Sequence, residues 1–341
     1  MSYYSGKKIL IIGGTGTIGQ GMVKEILKQN PTVIRILSRD EYKQFIMDKE
    51  IEEKYRKQLR FLIGDVRDYD RVDRAMEDID IVFNLAAMKH VPACEYNPDE
   101  AIKTNVTGMQ NVIKAAMHHN VESVVFTSSD KAISPTNAYG ATKLLAERLV
   151  QAANFNRGKA KTKFVAVRFG NVMGSRGSVI PLFKKQILEQ KHITVTNNGM
   201  SRFMMTLSDA VKLTMRSAEK SVGGEVFVLK MPIIKLKDLA EVVVEETCKK
   251  YKMDIVDIRI DIVGLRPGEK MYEELMTEDE AEIAYDLGKM YAVLPSTVGK
   301  NKYDEYYNEF IIAEKCSYTS QDEKCICKES VRQLILTENL I

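Results

Sequence analysis

No apolar run in the 341-residue chain reaches the roughly 18 residues that a membrane span needs, so no transmembrane helix is expected. Neither charge dominates. Lys and Arg number 50 against 47 Asp and Glu, and a net +3 is too small to argue for nucleic acid or a membrane surface as partner. The five cysteines are scattered as Cys94, Cys248, Cys316, Cys325 and Cys327. The last three lack a second Cys-x-x-Cys and a nearby His, so neither zinc nor another metal is expected. The N-terminus, MSYYSGKKILIIGG, runs straight into a strand without the h-region and cleavage site of a signal peptide. There is no internal repeat and no low-complexity segment. These absences point to a reduced, cytoplasmic protein, and the 45% hydrophobic content suffices for one large or two modest domains with a real core.

What the chain does have begins at once. Lys8 to Ile12 is an apolar strand, followed by Gly13-Gly-Thr15-Gly16-Thr17-Ile18-Gly19 and a helix over about 20–29. Strand, glycine turn and helix form the setting that a dinucleotide fingerprint requires. The glycines allow a tight turn and let backbone N–H groups approach a pyrophosphate at the helix N-terminus. The bland alternative is a turn that only packs closely. A second strand, Thr32 to Leu37, ends in Ser38-Arg39-Asp40-Glu41, with Lys43 one turn on. A hydroxyl and a guanidinium suit the 2′-phosphate of NADP. Asp40 is the alternative, as the ribose ligand of an NAD site.

Further strands at Leu59 to Ile63, Ile81 to Leu85, Ser123 to Ser128 and Lys163 to Phe169 alternate with helices. That rhythm predicts an α/β protein with a Rossmann-type doubly wound parallel sheet. Asp65, after the third strand, is either an adenine ligand or a helix N-cap. Small residues in NLAAMKHVP (84–92) would let a cofactor approach the backbone, with Lys89 and His90 pointing into the same cleft. A lone His such as His90 is more often structural than catalytic.

The centre of the chain is TSSDKAISPTNAYGATK, Thr127 to Lys143. Ser129 falls at a strand's C-terminal end, where open α/β sheets bind ligands. Pro135 breaks the chain before a helix opens near Asn137. Tyr139 and Lys143, four apart on that helix, share a face, and a neighbouring ammonium would favour the phenolate and make Tyr139 a usable base. Asp130 and Lys131 on the intervening turn are either an acid–base pair or a solvated turn.

Past Phe169 the chain becomes glycine-rich, GNVMGSRGSVIPLF (170–183), and single arginines recur: Arg176, Arg202 and Arg266. Arginines spread in this way suit a diphosphate-bearing substrate, although lone loop arginines are usually surface residues. From about Asn301 the chain is polar and tyrosine-rich without clear period, ending in a short helix near Lys328 to Leu336. The expected organisation is residues 1–170 as the NADP-binding domain, to which some later segments return. Residues 171–300 then form a smaller C-terminal substrate-binding region, and 301–341 a polar tail.

The motifs SRDE, GDVRD, AAMKHVP with EYNP and TNV, SDKA, YGATK, GNVMGSRGSVIP, SRF and LRPGEK stand in one order between about residues 7 and 294. In this the chain resembles the extended short-chain dehydrogenase/reductases, and within them the soluble inverting UDP-N-acetylglucosamine 4,6-dehydratases of flagellin-glycan and capsule synthesis. The resemblance implies NADP bound by Gly13, Thr15, Gly16, Thr17, Ile18, Gly19, Ser38, Arg39, Glu41, Lys43, Asp65, Val66, Ala86, Ala87, Tyr139 and Lys143. It implies a UDP-N-acetylhexosamine held through Lys89, Asn171, Val179, Arg202, Arg266 and Glu269, catalysis by Ser129, Asp130, Lys131, Tyr139 and Lys143, and a homo-oligomer. Ser129 stands where the family usually has Thr, and several longer capsule-type sisters have Met in place of Tyr139. The implied reaction oxidises C4, removes water across C5 and C6 and returns hydride to C6. The alternatives are a UDP-sugar 4-epimerase and a catalytically silent NADP-binding regulator.

Overall fold

The computed structural model describes residues 2–265, 268–296, 301–321 and 324–341. Six segments rich in apolar residues become strands: β1 (Lys8–Ile12), β2 (Val33–Ser38), β3 (Leu59–Ile63), β4 (Ile81–Asn84), β5 (Ser123–Thr127) and β6 (Lys163–Arg168). Near-continuous apolar runs such as ILII, IVF and VVF suit parallel strands covered on both faces. All six are parallel and lie in the order β3-β2-β1-β4-β5-β6. The order reverses between β1 and β4, and beyond the strand ends at such a switch point these sheets open a crevice. The expected doubly wound α/β sheet is what the chain forms.

The chain then leaves this sheet and comes back. Val226–Leu229 adds a parallel strand beside β6, and Met290–Val293, Ala284–Asp286 and Ile311–Ile312 extend that edge antiparallel to ten strands among the described residues. Segments before and after the first return build a smaller layer. Its three-stranded sheet joins Ile233–Lys235, Ser201–Met205 and Asn171–Val172. Helices Val179–Gln190 and Leu236–Tyr251 pack there through Phe183, Ile187 and Val243, with Val331 and Ile335 from helix Lys328–Thr337 completing a second apolar cluster.

The stretch after residue 300 is fastened rather than solvated. Tyr303 and Tyr307 are buried, their hydroxyls bonded to the Gly223 carbonyl (2.7 Å) and the Glu225 carboxylate (2.8 Å). A tyrosine supplies apolar area while its hydroxyl keeps a partner, which composition cannot reveal. Tyr318–Thr319 pairs antiparallel with Glu274–Met276 and brings Ser320 beside Glu273. Among the described residues no helix is long and apolar enough to cross a membrane.

Candidate active site

The turn after β1 is shaped for close approach. Gly13 takes φ 80°, and a Cβ there would meet the Ala86 backbone at 2.9 Å, so both the turn and the loop after β4 require glycine. Gly16 caps helix Thr17–Leu27 without a side chain, and Thr17, Ile18 and Gly19 form its first turn, whose N–H groups have no intrahelical acceptor. The Thr15 hydroxyl lies 2.8 Å from that of Ser38 at the end of β2. Next to it the Arg39 guanidinium is mostly exposed, 3.6 Å from Asp65.

Asp40 is turned to another task. It caps helix Glu41–Glu50, accepting from Lys43 N at 3.0 Å and pairing with the Lys43 ammonium, while Glu41 is exposed on the first turn. Asp65, by contrast, is not a cap: Asp68 caps the following helix, and Asp65 pairs with Arg67 at 2.7 Å. Val66 is buried, and Ala86 and Ala87 are half-buried in the loop after β4.

β5 delivers the second group. Ser129 caps a one-turn helix, Asp130–Ala132, after which Asn137 accepts from Gly140 N (2.8 Å) and opens helix Ala138–Asn156. A side chain at Gly140 would run into the Lys131 carbonyl oxygen, so this glycine lets the turn pack against the helix beside Tyr139. Ser129 Oγ donates to Asp130 Oδ1 at 2.8 Å, and Lys131 Nζ donates to Asp130 Oδ2 at 2.8 Å. Asp130 is buried and the Lys131 side chain is 32% exposed, which is not the solvated turn of the bland alternative.

Charge in this group differs from the expectation for Tyr139 and Lys143. Burial, with the Asp130 charge, pushes the Tyr139 phenol up to about 12, against a hydrogen bond with Ser129 and the nearby Lys131 ammonium. The cation acting on the phenol is thus Lys131. Lys143 is engaged elsewhere: its Nζ donates to the Thr127 carbonyl at 2.7 Å and sits 4.5 Å over the Phe126 ring. Burial pulls its pKa down to about 7, with Glu147 opposing, so it brings no full charge to the phenol. Burial also works against charge on Asp130 and Lys131. Their mutual attraction outweighs it, holding Asp130 low and Lys131 high, with Glu273 adding to the lysine's rise.

Asp130 and Lys131 face a cavity of about 380 Å³ between the two layers, lined also by Lys89, His90, Asn171, Val179, Arg202, Glu269 and Glu273 among others, while Ser129, Tyr139 and Lys143 lie behind that lining. Lys89 Nζ donates to the Arg176 carbonyl at 3.0 Å. The Arg202 guanidinium lies 3.5 Å from Glu269 and 3.4 Å from Glu273. Arg266 lies outside the described residues.

Sequence reasoning missed Glu273. It is buried and bonded to Asn171 Nδ2 through both oxygens (3.0 Å) and to Phe203 N (3.0 Å), with Lys131 Nζ 3.6 Å away. Asn105, within the TNV motif, is a further residue whose role the motif does not reveal. It bonds both backbone groups of Met88 and the Thr142 hydroxyl, tying the AAMKHVP loop to the helix of Tyr139. Outside the cavity, Asp73, His118 and His119 bring three potential ligand atoms within 4.8 Å of one another, where the sequence led to no metal expectation.

The sheet order, the glycine turn and the Ser129–Tyr139–Lys143 group together define an extended short-chain dehydrogenase/reductase. The chain belongs to the family described as polysaccharide biosynthesis protein, whose model matches residues 9–295. It is similar to an uncharacterized membrane protein of Methanocaldococcus jannaschii, 48% identical over 98% of this chain and 96% of that one. A UDP-N-acetylglucosamine 4,6-dehydratase (inverting) of Campylobacter jejuni is 43% identical over 86% of this chain and 84% of its own length. A UDP-glucose 4-epimerase of Rickettsia bellii is 40% identical over 97% and 95%. The crystal structure of Pen from Bacillus thuringiensis is 51% identical, covers both chains completely and superposes with a TM-score of 0.93.

Proposed function

We propose that the protein is an NADP-dependent UDP-N-acetylglucosamine 4,6-dehydratase, inverting at C5. The observation that carries the reading is the paired Asp130 and Lys131 at the cavity wall, the acid buried and the lysine half-buried, with Ser129 and Tyr139 beside them. A 4-epimerase also oxidises C4 but needs no acid–base pair at C5 and C6. Relatives bearing the dehydratase name support the choice.

The turn after β1 fits a dinucleotide: Gly13 would collide with Ala86 if it carried a side chain, and the uncapped N-terminus at Thr17 suits a pyrophosphate. Ser38 and Arg39 would hold the 2′-phosphate, because Asp40, the NAD alternative, is committed to capping its helix. Tyr139 and Lys143 would hold the nicotinamide ribose. When bound, the nicotinamide supplies hydride acceptance at sugar C4 and hydride return at C6.

The chain's own residues handle protons. Tyr139 takes the C4 hydroxyl proton, with Ser129 polarising the oxygen, which requires its phenol to fall well below about 12 in the loaded enzyme. Lys131 takes the C5 proton, acidified by the neighbouring ketone, and Asp130 protonates the departing C6 hydroxyl to water. Hydride return at C6 is matched by a proton delivered to C5 from the opposite face, which inverts that carbon. At rest the pair holds the opposite protonation, ammonium and carboxylate. One proton passing along the 2.8 Å bond from Nζ to Oδ2 produces amine and acid without changing the pair's net charge. Desolvation by bound substrate favours that uncharged form.

Incubation with UDP-N-acetylglucosamine and proton NMR of the fresh product test the reading. The expected product is the 4-keto-6-deoxy sugar of L-arabino configuration. A D-xylo product refutes inversion, and a C4 epimer alone favours the epimerase, the name carried by the Rickettsia relatives. Binding of NADP without turnover favours the silent regulator.

A further inference from the structure

Glu273 is more tightly enclosed than packing alone requires. Its oxygens accept from Asn171 and Phe203 N, and Arg202 Nε stands 3.4 Å away. Its backbone is pinned from the C-terminal segment: Glu273 N donates to Ser320 Oγ at 2.9 Å, and Ser320 N to the Glu273 carbonyl at 2.8 Å. Its other charged neighbours in the cavity are Asp130 and the Lys131 ammonium, whose Nζ lies 3.6 Å from Oε1.

We infer that Glu273 is a positioning residue for Lys131: its carboxylate holds the ammonium at the cavity wall and sets how readily that lysine gives up its proton. This rests on the role given to Lys131 above. The other groups facing Lys131 are Asp130 on its own turn, Tyr139 on the following helix and Lys89 from the loop after β4. Those facing Glu273 are Asp130, Lys131 and Arg202, and Arg202 is shared with Glu269.

Tyr139 is an uncharged phenol at neutral pH and Lys89 repels, so Asp130 and Glu273 are the two anions that keep Lys131 protonated. Asp130 loses its charge when it accepts the lysine's proton. Glu273 is then the anion that opposes the transfer. Burial and the Asp130 charge raise the Glu273 carboxyl against the pull of Lys131 and Arg202, so lowering the pH discharges it and eases that opposition.

Glu273→Gln keeps the shape and removes the charge. Competitive acetylation of Lys131 across the alkaline range, read by peptide mass spectrometry, reports the lysine's titration without requiring turnover. The Lys131 midpoint is expected to fall by about one pH unit or more, the effect of losing an opposite charge within about 4–6 Å. Glu273→Asp, which withdraws the charge by one methylene, should give a smaller fall of the same sign, and it carries the test if the glutamine variant does not fold. The falling limb of the dehydration rate, where the Asp130–Lys131 pair loses its one proton to solvent, moves to lower pH by the same amount. An unchanged midpoint in a folded variant overturns the inference and leaves Glu273 a brace for Asn171 and Phe203. A shifted midpoint in a protein that never forms a 4-keto sugar keeps the inference and sinks the dehydratase reading.

Discussion

Arg168 and Glu147 face each other through two hydrogen bonds, Nε to Oε1 at 3.1 Å and Nη2 to Oε2 at 2.7 Å, with both side chains closed to solvent. Arg168 ends β6, and Glu147 lies one turn beyond Lys143. The same guanidinium reaches the Leu275 carbonyl (2.9 Å) and Glu280 (2.8 Å). One arginine thus ties the helix of Tyr139 to the sheet and to the segment that follows Glu273. Removing one member of such a pair strands a buried charge. Arg168→Met is expected to cost about 3–5 kcal/mol in urea unfolding. A loss below about 1 kcal/mol would show that the two glutamates find water or protons instead.

A second expectation concerns pH and Lys143. Its folded pKa of about 7 lies below the ordinary 10.5, because burial disfavours the ammonium. Between those values the unfolded chain binds more protons, so this group makes the cofactor-free protein more stable as pH rises through that window. Lys143→Met cannot titrate. The stability of the parent relative to this variant should climb from about pH 7 to about pH 10.5 in paired unfolding curves. A flat difference would mean that the ammonium stays charged in its pocket.

Legibility followed the range of the interactions. Strands β1 to β6 were visible because buried parallel strands are written as local apolar runs, and Gly13 because a turn is local. Asn137 as the helix start needed three residues of context. Glu273 was invisible, since its meaning depends on Lys131, 142 positions earlier, and on Ser320, 47 later. The tyrosines after residue 300 looked like a polar tail because their hydroxyl partners, Gly223 and Glu225, lie some 80 residues away. The spacing of Tyr139 and Lys143 placed both on one helix, but it could not show that the Thr127 carbonyl would capture the amine.

The cofactor can be tested at one side chain. Arg39 is exposed beside Ser38, with only a 3.6 Å pairing to Asp65 to give up. If it meets a 2′-phosphate, Arg39→Ala should weaken NADP binding by about 1.5–3 kcal/mol, the value of hydrogen bonds to a charged group, and spare NAD. Titration calorimetry with both dinucleotides measures the difference. Equal losses would remove Arg39 from the phosphate site.

The sharpest separation lies on the turn between β5 and its helix. Were Asp130 and Lys131 merely structural at a surface, replacing Lys131 would move stability by about 0.5 kcal/mol and leave turnover intact. As the C5 base, Lys131 accepts its proton only after C4 has been oxidised. Its charge, which lowers the Tyr139 phenol, bears only on the rate of that earlier step. Lys131→Ala should therefore let the reduced-nicotinamide absorbance rise when UDP-N-acetylglucosamine is added, while no 4-keto-6-deoxy sugar forms. Tyr139→Phe acts one step earlier and should leave that absorbance flat. Positioned acid–base groups contribute about 10²–10⁴-fold, so stopped-flow absorbance and NMR of the sugar can resolve both defects. A Lys131→Ala protein that turns over near the parent rate would return the pair to a structural role and favour the epimerase.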